Sequence, residues 1–81
     1  MLFDYETVQS WIEKNGTGEK ERYYCNGLSW LLAVMKDGWI SVFEIIDGHR
    51  YRAAIQAADM VHAKSYCGLT EPVTVPMQRL C

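Results

Sequence analysis

The chain has no long hydrophobic run: its longest aliphatic stretch, residues 31–35, falls far short of the roughly 20 residues a helix needs to cross a bilayer. No membrane partner is expected. The amino terminus, Met1-Leu2-Phe3-Asp4-Tyr5-Glu6, lacks the basic start and sustained apolar core of a secretory signal. There are only 2 prolines, too few for a proline-rich linker. Cysteine is scarce and unpaired in spacing: Cys25, Cys67 and Cys81 make an odd number, as expected of thiols in the cytoplasm rather than of a secreted disulfide scaffold. Positive charge is not in excess either. With 8 Lys and Arg against 10 Asp and Glu, the net charge is −2, which argues against affinity built on phosphate neutralisation.

Catalytic and metal signatures are missing as well. His49, His62, Cys25, Cys67 and Cys81 show neither C-x-x-C nor H-x-x-x-H spacing, so no metal or other cofactor is expected. His62 and Cys67, five apart, would sit about 140° around a helix from each other, a poor arrangement for a nucleophile and its base. No G-x-S-x-G, phosphate-cradling loop or carboxylate pair is present. The expectation is a protein that is not an enzyme.

What is present is the composition of a folded chain, 49% hydrophobic and 12% aromatic, of a length that suits one domain over residues 1–81. Phe3-Asp4 ahead of Tyr5, Val8, Trp11 and Ile12 predicts a helix capped by Asp4 and stapled by Phe3 and Val8. It runs to about Asn15 and closes at Gly16 in a left-handed conformation. Residues 21–46 are rich in β-branched and aromatic types. They are punctuated by Asn26-Gly27 and Asp37-Gly38, both suited to two-residue hairpin turns. The prediction is a three-stranded antiparallel meander with Cys25 opposite Leu28, Tyr23 opposite Trp30, Val34 opposite Ser41, Leu32 opposite Phe43, and Trp30 opposite Ile45.

After Asp47-Gly48, the spacing of Tyr51, Ala54, Ile55, Ala58, Val61, His62, Ser65 and Tyr66 predicts a second helix through Gly68. Pro72 and Pro76 make residues 69–81 an extended tail or edge strand. The expected fold is therefore α+β: a three-stranded meander with two helices packed on one face, in α-β-β-β-α order, and an extended C-terminal tail.

Two helices on one face would leave the other open, unless the C-terminal tail folds across it. That face would display Tyr24, Leu31, Met35, Ile40, Val42, Glu44 and Ile46, an apolar surface large enough to mark association. The expected function is thus protein binding by surface occlusion, through a partner protein or a second copy in a homodimer. A compact acidic chain of this kind resembles, in style, the small inhibitors of host defence encoded by phages and prophages, anti-CRISPR proteins among them. In that comparison Glu13, Glu19, Glu21, Glu44, Asp47 and Asp59 would meet a basic host surface. The alternative is nucleic-acid binding through His49, Arg50, Arg52 and Lys64, a basic cluster with Tyr51 interleaved. The element order is similar to that of double-stranded-RNA-binding domains, which place a lysine-rich cluster at the start of the last helix. Here that stretch reads His49-Arg50-Tyr51-Arg52-Ala53-Ala54.

Overall fold

A computed structural model describes residues 1–25, 27–47 and 49–68. The expected tail 69–81 with Cys81, and the turn residues Asn26 and Gly48, lie outside the described residues. The elements are β1 (Leu2–Asp4), α1 (Tyr5–Asn15), β2 (Gly16–Cys25), β3 (Leu28–Met35), β4 (Ile40–Ile45), β5 (Arg50–Ala57) and α2 (Met60–Tyr66). The class is α+β, but among the described residues the sheet has five antiparallel strands in the order β1-β5-β4-β3-β2, not three. Neither helix is long and apolar enough to cross a membrane.

Asp4 ends β1 and caps α1, its carboxylate accepting the Thr7 N–H at 2.7 Å. Hydrogen bonds from Thr7, side chain first and then backbone, hold this carboxyl below its ordinary value of 3.8. A depressed folded-state value means that the cap's contribution is present above pH 3.8 and lost as the pH falls through that lower value. Asp4→Ala is expected to melt below the wild type at pH 7, with the gap closing on acidification, as a set of thermal melts would show.

The Tyr5 N–H donates to the His49 carbonyl at 2.8 Å, and the Lys36 N–H to the Asn15 carbonyl at 2.9 Å. These bonds pin the start of α1 beside the β1–β5 edge and its end beside the β3–β4 turn. The helix therefore crosses one sheet face diagonally. Val8 and Ile12 pack there on Leu31, Ala33, Met35, Phe43, Ile45 and Tyr51. The seven-residue α2, capped by Asp59 at 2.8 Å from the His62 N–H, covers the opposite face. Its Ala63, with Cys67 just beyond its end, packs with Tyr23, Trp30, Leu32, Ile40, Val42 and Ala57. The helices thus lie on opposite faces, contrary to the expected arrangement.

Two local departures explain the corrections. In the first hairpin, Cys25 pairs with Leu28 and Tyr23 with Trp30, as the turn spacing predicts. In the second, Val34 pairs with Ile40, Leu32 with Val42 and Leu31 with Phe43, one residue away from the expected register. The loop there is the three residues Lys36, Asp37 and Gly38, closed by the Met35 N–H to the Trp39 carbonyl at 2.8 Å. Gly38 alone takes the left-handed conformation, at φ 93°, while the Asp37 carboxylate accepts the Trp39 N–H at 3.0 Å. That is a type I turn followed by a left-handed residue rather than a two-residue turn. A slip of one residue turns every β4 side chain to the other face.

The second departure is in β5. Val42 pairs with Ile55 but Phe43 with Ala53, leaving a bulge at Ala54. The extra residue changes the phase of the strand: Tyr51 packs in the core beneath α1, while Ile55 and Ala57 pack in the core beneath α2. Residues 50–57 form a strand where a helix was expected, so the α-β-β-β-α order shared with double-stranded-RNA-binding domains does not hold.

Candidate functional site

Because α1 runs diagonally, it leaves one corner of its own face uncovered, above the ends of β4 and β5 away from β1. A groove of about 450 Å³ opens there, within the range typical of ligand pockets. Ser41, Phe43, Ala53 and Gln56 come from the sheet, Thr7, Val8 and Trp11 from α1, and Phe3 from β1. The aromatic surfaces are ordered. The Trp11 and Phe43 rings meet edge to face at 5.9 Å, and Phe43 meets Tyr51 in the same way at 6.5 Å, geometries that favour aromatic contact. Among the described residues no charged side chain lines the groove. The Ser41 hydroxyl is buried without a hydrogen-bond partner among the described residues, an arrangement that costs free energy.

The same corner contains an open sheet edge. β1 pairs with β5 only at residues 50–52, and among the described residues no strand pairs with the outer side of residues 53–57. Ala53, Ala54, Ile55, Gln56 and Ala57 carry no charge. The opposite edge, β2, presents Glu19, Lys20 and Arg22, charges of the sort that discourage strand addition.

The residues expected to form an interface do not share a surface. Leu31 and Met35 are buried beneath α1 and Ile40 and Val42 beneath α2, so these four serve the core. Tyr24 and Ile46 are exposed. Glu44 is half-buried and pairs with Arg52 at 3.6 Å. Of the alternative basic cluster, His49 and Arg50 are exposed in and after the β4–β5 turn, whereas Arg52 is held by Glu44. Lys64 is buried on α2. Its ammonium lies 3.9 Å from the Glu21 carboxylate and 5.5 Å from the centre of the Tyr23 ring, and Glu21 also accepts the Tyr23 hydroxyl at 2.8 Å. Lys64 is thus withdrawn from the surface, while His49, Arg50 and Arg52 remain exposed.

The acidic residues are similarly occupied. Asp47 accepts the backbone N–H groups of His49 and Arg50, Asp59 caps α2, and Glu21 and Glu44 hold cations. Glu13 and Glu19 are exposed. Burial, and then the neighbouring Cys25, push the Cys67 thiol up to about 12, so it stays protonated at neutral pH and is a poor nucleophile. Among the described residues no three His, Cys, Asp or Glu side chains converge as a metal site.

Sequence reasoning placed Phe3 at the helix staple and Trp11 on the helix's apolar stripe, but gave neither them nor Thr7, Ala53 and Gln56 a part in a site. The groove depends on the diagonal of α1 and the strand identity of residues 50–57, neither of which leaves a local signal. Comparison with known protein families, curated proteins and solved structures found no match for this chain, and the groove with its open edge is read from its own chemistry.

Proposed function

We propose that this chain is a non-enzymatic protein-binding domain that acts by occlusion, taking up an extended segment of a partner protein as a sixth strand along β5. The observation that supports this reading is the contrast between the sheet's two edges: β2 is guarded by charge, whereas residues 53–57 are uncharged, unpaired on their outer side among the described residues, and adjoin an apolar groove. In strand addition, main-chain hydrogen bonds supply affinity and pockets for alternate side chains supply selectivity. A partner segment held in this way is hidden from whatever else would bind it. This is the mode of action of a small inhibitor, and the setting we assign is the cytoplasm, with a phage-encoded inhibitor of host defence, anti-CRISPR-like, as its type.

Displayed random peptides selected on the wild type and on Ala53→Glu test the reading. Ala53 is exposed and lines the groove, so the new carboxylate sits in the binding path without entering the core. Selected peptides are expected to bind in an extended form, to lose at least tenfold in affinity on Ala53→Glu, and to bind nearly equally at low and high salt, since the edge is uncharged. Steep salt dependence would instead favour a contact through the exposed acidic residues. A wild-type dimer that Ala53→Glu converts to a monomer would identify a second copy of the chain as the occupant.

A further inference from the structure

We infer that the groove beneath α1 is a selectivity pocket for a phenol, the side chain of a tyrosine in the segment bound along β5. The inference rests on the strand-addition reading for the source of the ring, but the chemistry of the pocket stands apart from it. The lining is mostly apolar, with Trp11, Phe43 and Phe3 as its rings, Thr7, Ser41 and Gln56 as its polar side chains, and no charged side chain among the described residues. An ammonium or carboxylate would enter without a counter-charge and be opposed by the cost of desolvation.

A purely apolar ring would fill the space and leave the Ser41 hydroxyl without a partner, as it is among the described residues. A phenolic hydroxyl can donate and accept, and so can serine's. Ser41 lines the groove with its Oγ buried, so the pairing requires Ser41 to take a staggered rotamer that brings Oγ to the groove. Length also selects. Ser41 lies on β4, opposite Gln56 of β5, so a strand added outside β5 is two strand spacings away, about 10 Å. Because strand side chains stand roughly perpendicular to the sheet, reaching Ser41 requires a side chain long enough to lean inward over β5, as tyrosine is and serine, threonine and asparagine are not.

The test is titration of the full chain with p-cresol, toluene and 4-methylbenzoate, followed by amide and indole NMR shifts, on the wild type and on Ser41→Ala. p-Cresol is expected to shift the Trp11 indole and the amides of Ser41, Ala53 and Gln56. It is expected to bind roughly five- to tenfold more tightly than toluene, the factor that one net hydrogen bond supplies. 4-Methylbenzoate should bind far more weakly than either. In Ser41→Ala the advantage of p-cresol over toluene should vanish while the melting temperature stays level or rises, because an unpartnered buried hydroxyl has been removed. Equal binding of p-cresol and toluene to the wild type, or no shift with any of the three, overturns the inference. The wild-type ratio alone decides the point if the variant does not fold. Because the fragments need no sheet edge, their binding and the peptide selection can fail separately.

Discussion

Val42→Glu is expected to yield no folded protein, whereas Ala53→Glu, the same carboxylate on the neighbouring strand, is expected to fold as the wild type does. Val42 is 1% exposed in the centre of the sheet, opposite Leu32 on one side and Ile55 on the other. Its side chain belongs to the core beneath α2, where among the described residues no free basic group faces it: Lys64 is already engaged with Glu21. An unpaired charge in such a place costs several kcal/mol even after relaxation. At about 0.05–0.15 kcal/mol per residue, a chain of this length has only about 4–12 kcal/mol of stability in total. Val42→Ala, which removes methyl groups without adding charge, should cost about 2 kcal/mol and remain folded. Far-UV circular dichroism and amide dispersion separate the three variants. A Val42→Glu protein with a wild-type melting temperature would mean that Val42 faces solvent, and with it that the β3–β4 register is the one expected of a two-residue turn.

That alternative register is the one the sequence suggests, and the reason it fails is local. Asp-Gly is favoured in two-residue turns because both positions can take positive φ, but the same pair also suits a three-residue loop in which aspartate caps the turn and glycine alone is left-handed. Nothing in Asp37-Gly38 separates the two. The choice is made by burial: in the observed register Phe43 and Ile45 reach α1 while Ile40 and Val42 reach α2, so each helix gains an apolar floor. Asn26-Gly27 is more legible because the two-residue turn it favours, with Cys25 against Leu28, also places Tyr23 and Trp30 on the same buried face.

The second misreading has a similar cause. A strand interrupted by a one-residue bulge places apolar residues at spacings of three and four rather than two, which is the signature of a helix. Ala53, Ala54 and Ala57 reinforce it through their helix propensity. Tertiary pairing with β4 and β1 overrides that propensity, and the groove disappears from view with the strand that forms it. The first helix, by contrast, is fully marked, because its cap, its staple pair and its apolar stripe all lie within residues 3–12.

Gly16 is the other position at which a single added carbon is expected to matter. The left-handed helix end anticipated there is not what requires glycine, since its backbone is extended at φ −97° and ψ 168°, a conformation open to any residue. The requirement is space. A Cβ at this position would stand 2.6 Å from the Ile12 carbonyl oxygen and 3.3 Å from Ile12 Cγ2. The Gly16 N–H also donates to that same Ile12 carbonyl, so the bond that ends α1 draws the clashing atoms together.

Relief must lift the last turn of α1 from β3, against the Lys36 N–H to Asn15 carbonyl bond that holds it there. Gly16→Ala is therefore expected to cost about 1–3 kcal/mol, the range for overpacking. For a domain of this size each kcal/mol lowers the melting temperature by about 4–8 °C. Gly38→Ala makes the opposite case, with positive φ and nothing within 4 Å of the new carbon, and should cost about 1 kcal/mol through backbone strain alone. Urea melts of the two variants rank the effects. Trp11, one turn before the clash, also walls the groove, so Gly16→Ala should weaken p-cresol binding and alter the near-ultraviolet dichroism of the tryptophan, whereas Gly38→Ala should do neither. Equal stability of Gly16→Ala and the wild type would show that the end of α1 is not seated on β3, and that the diagonal which opens the groove is not fixed by this contact.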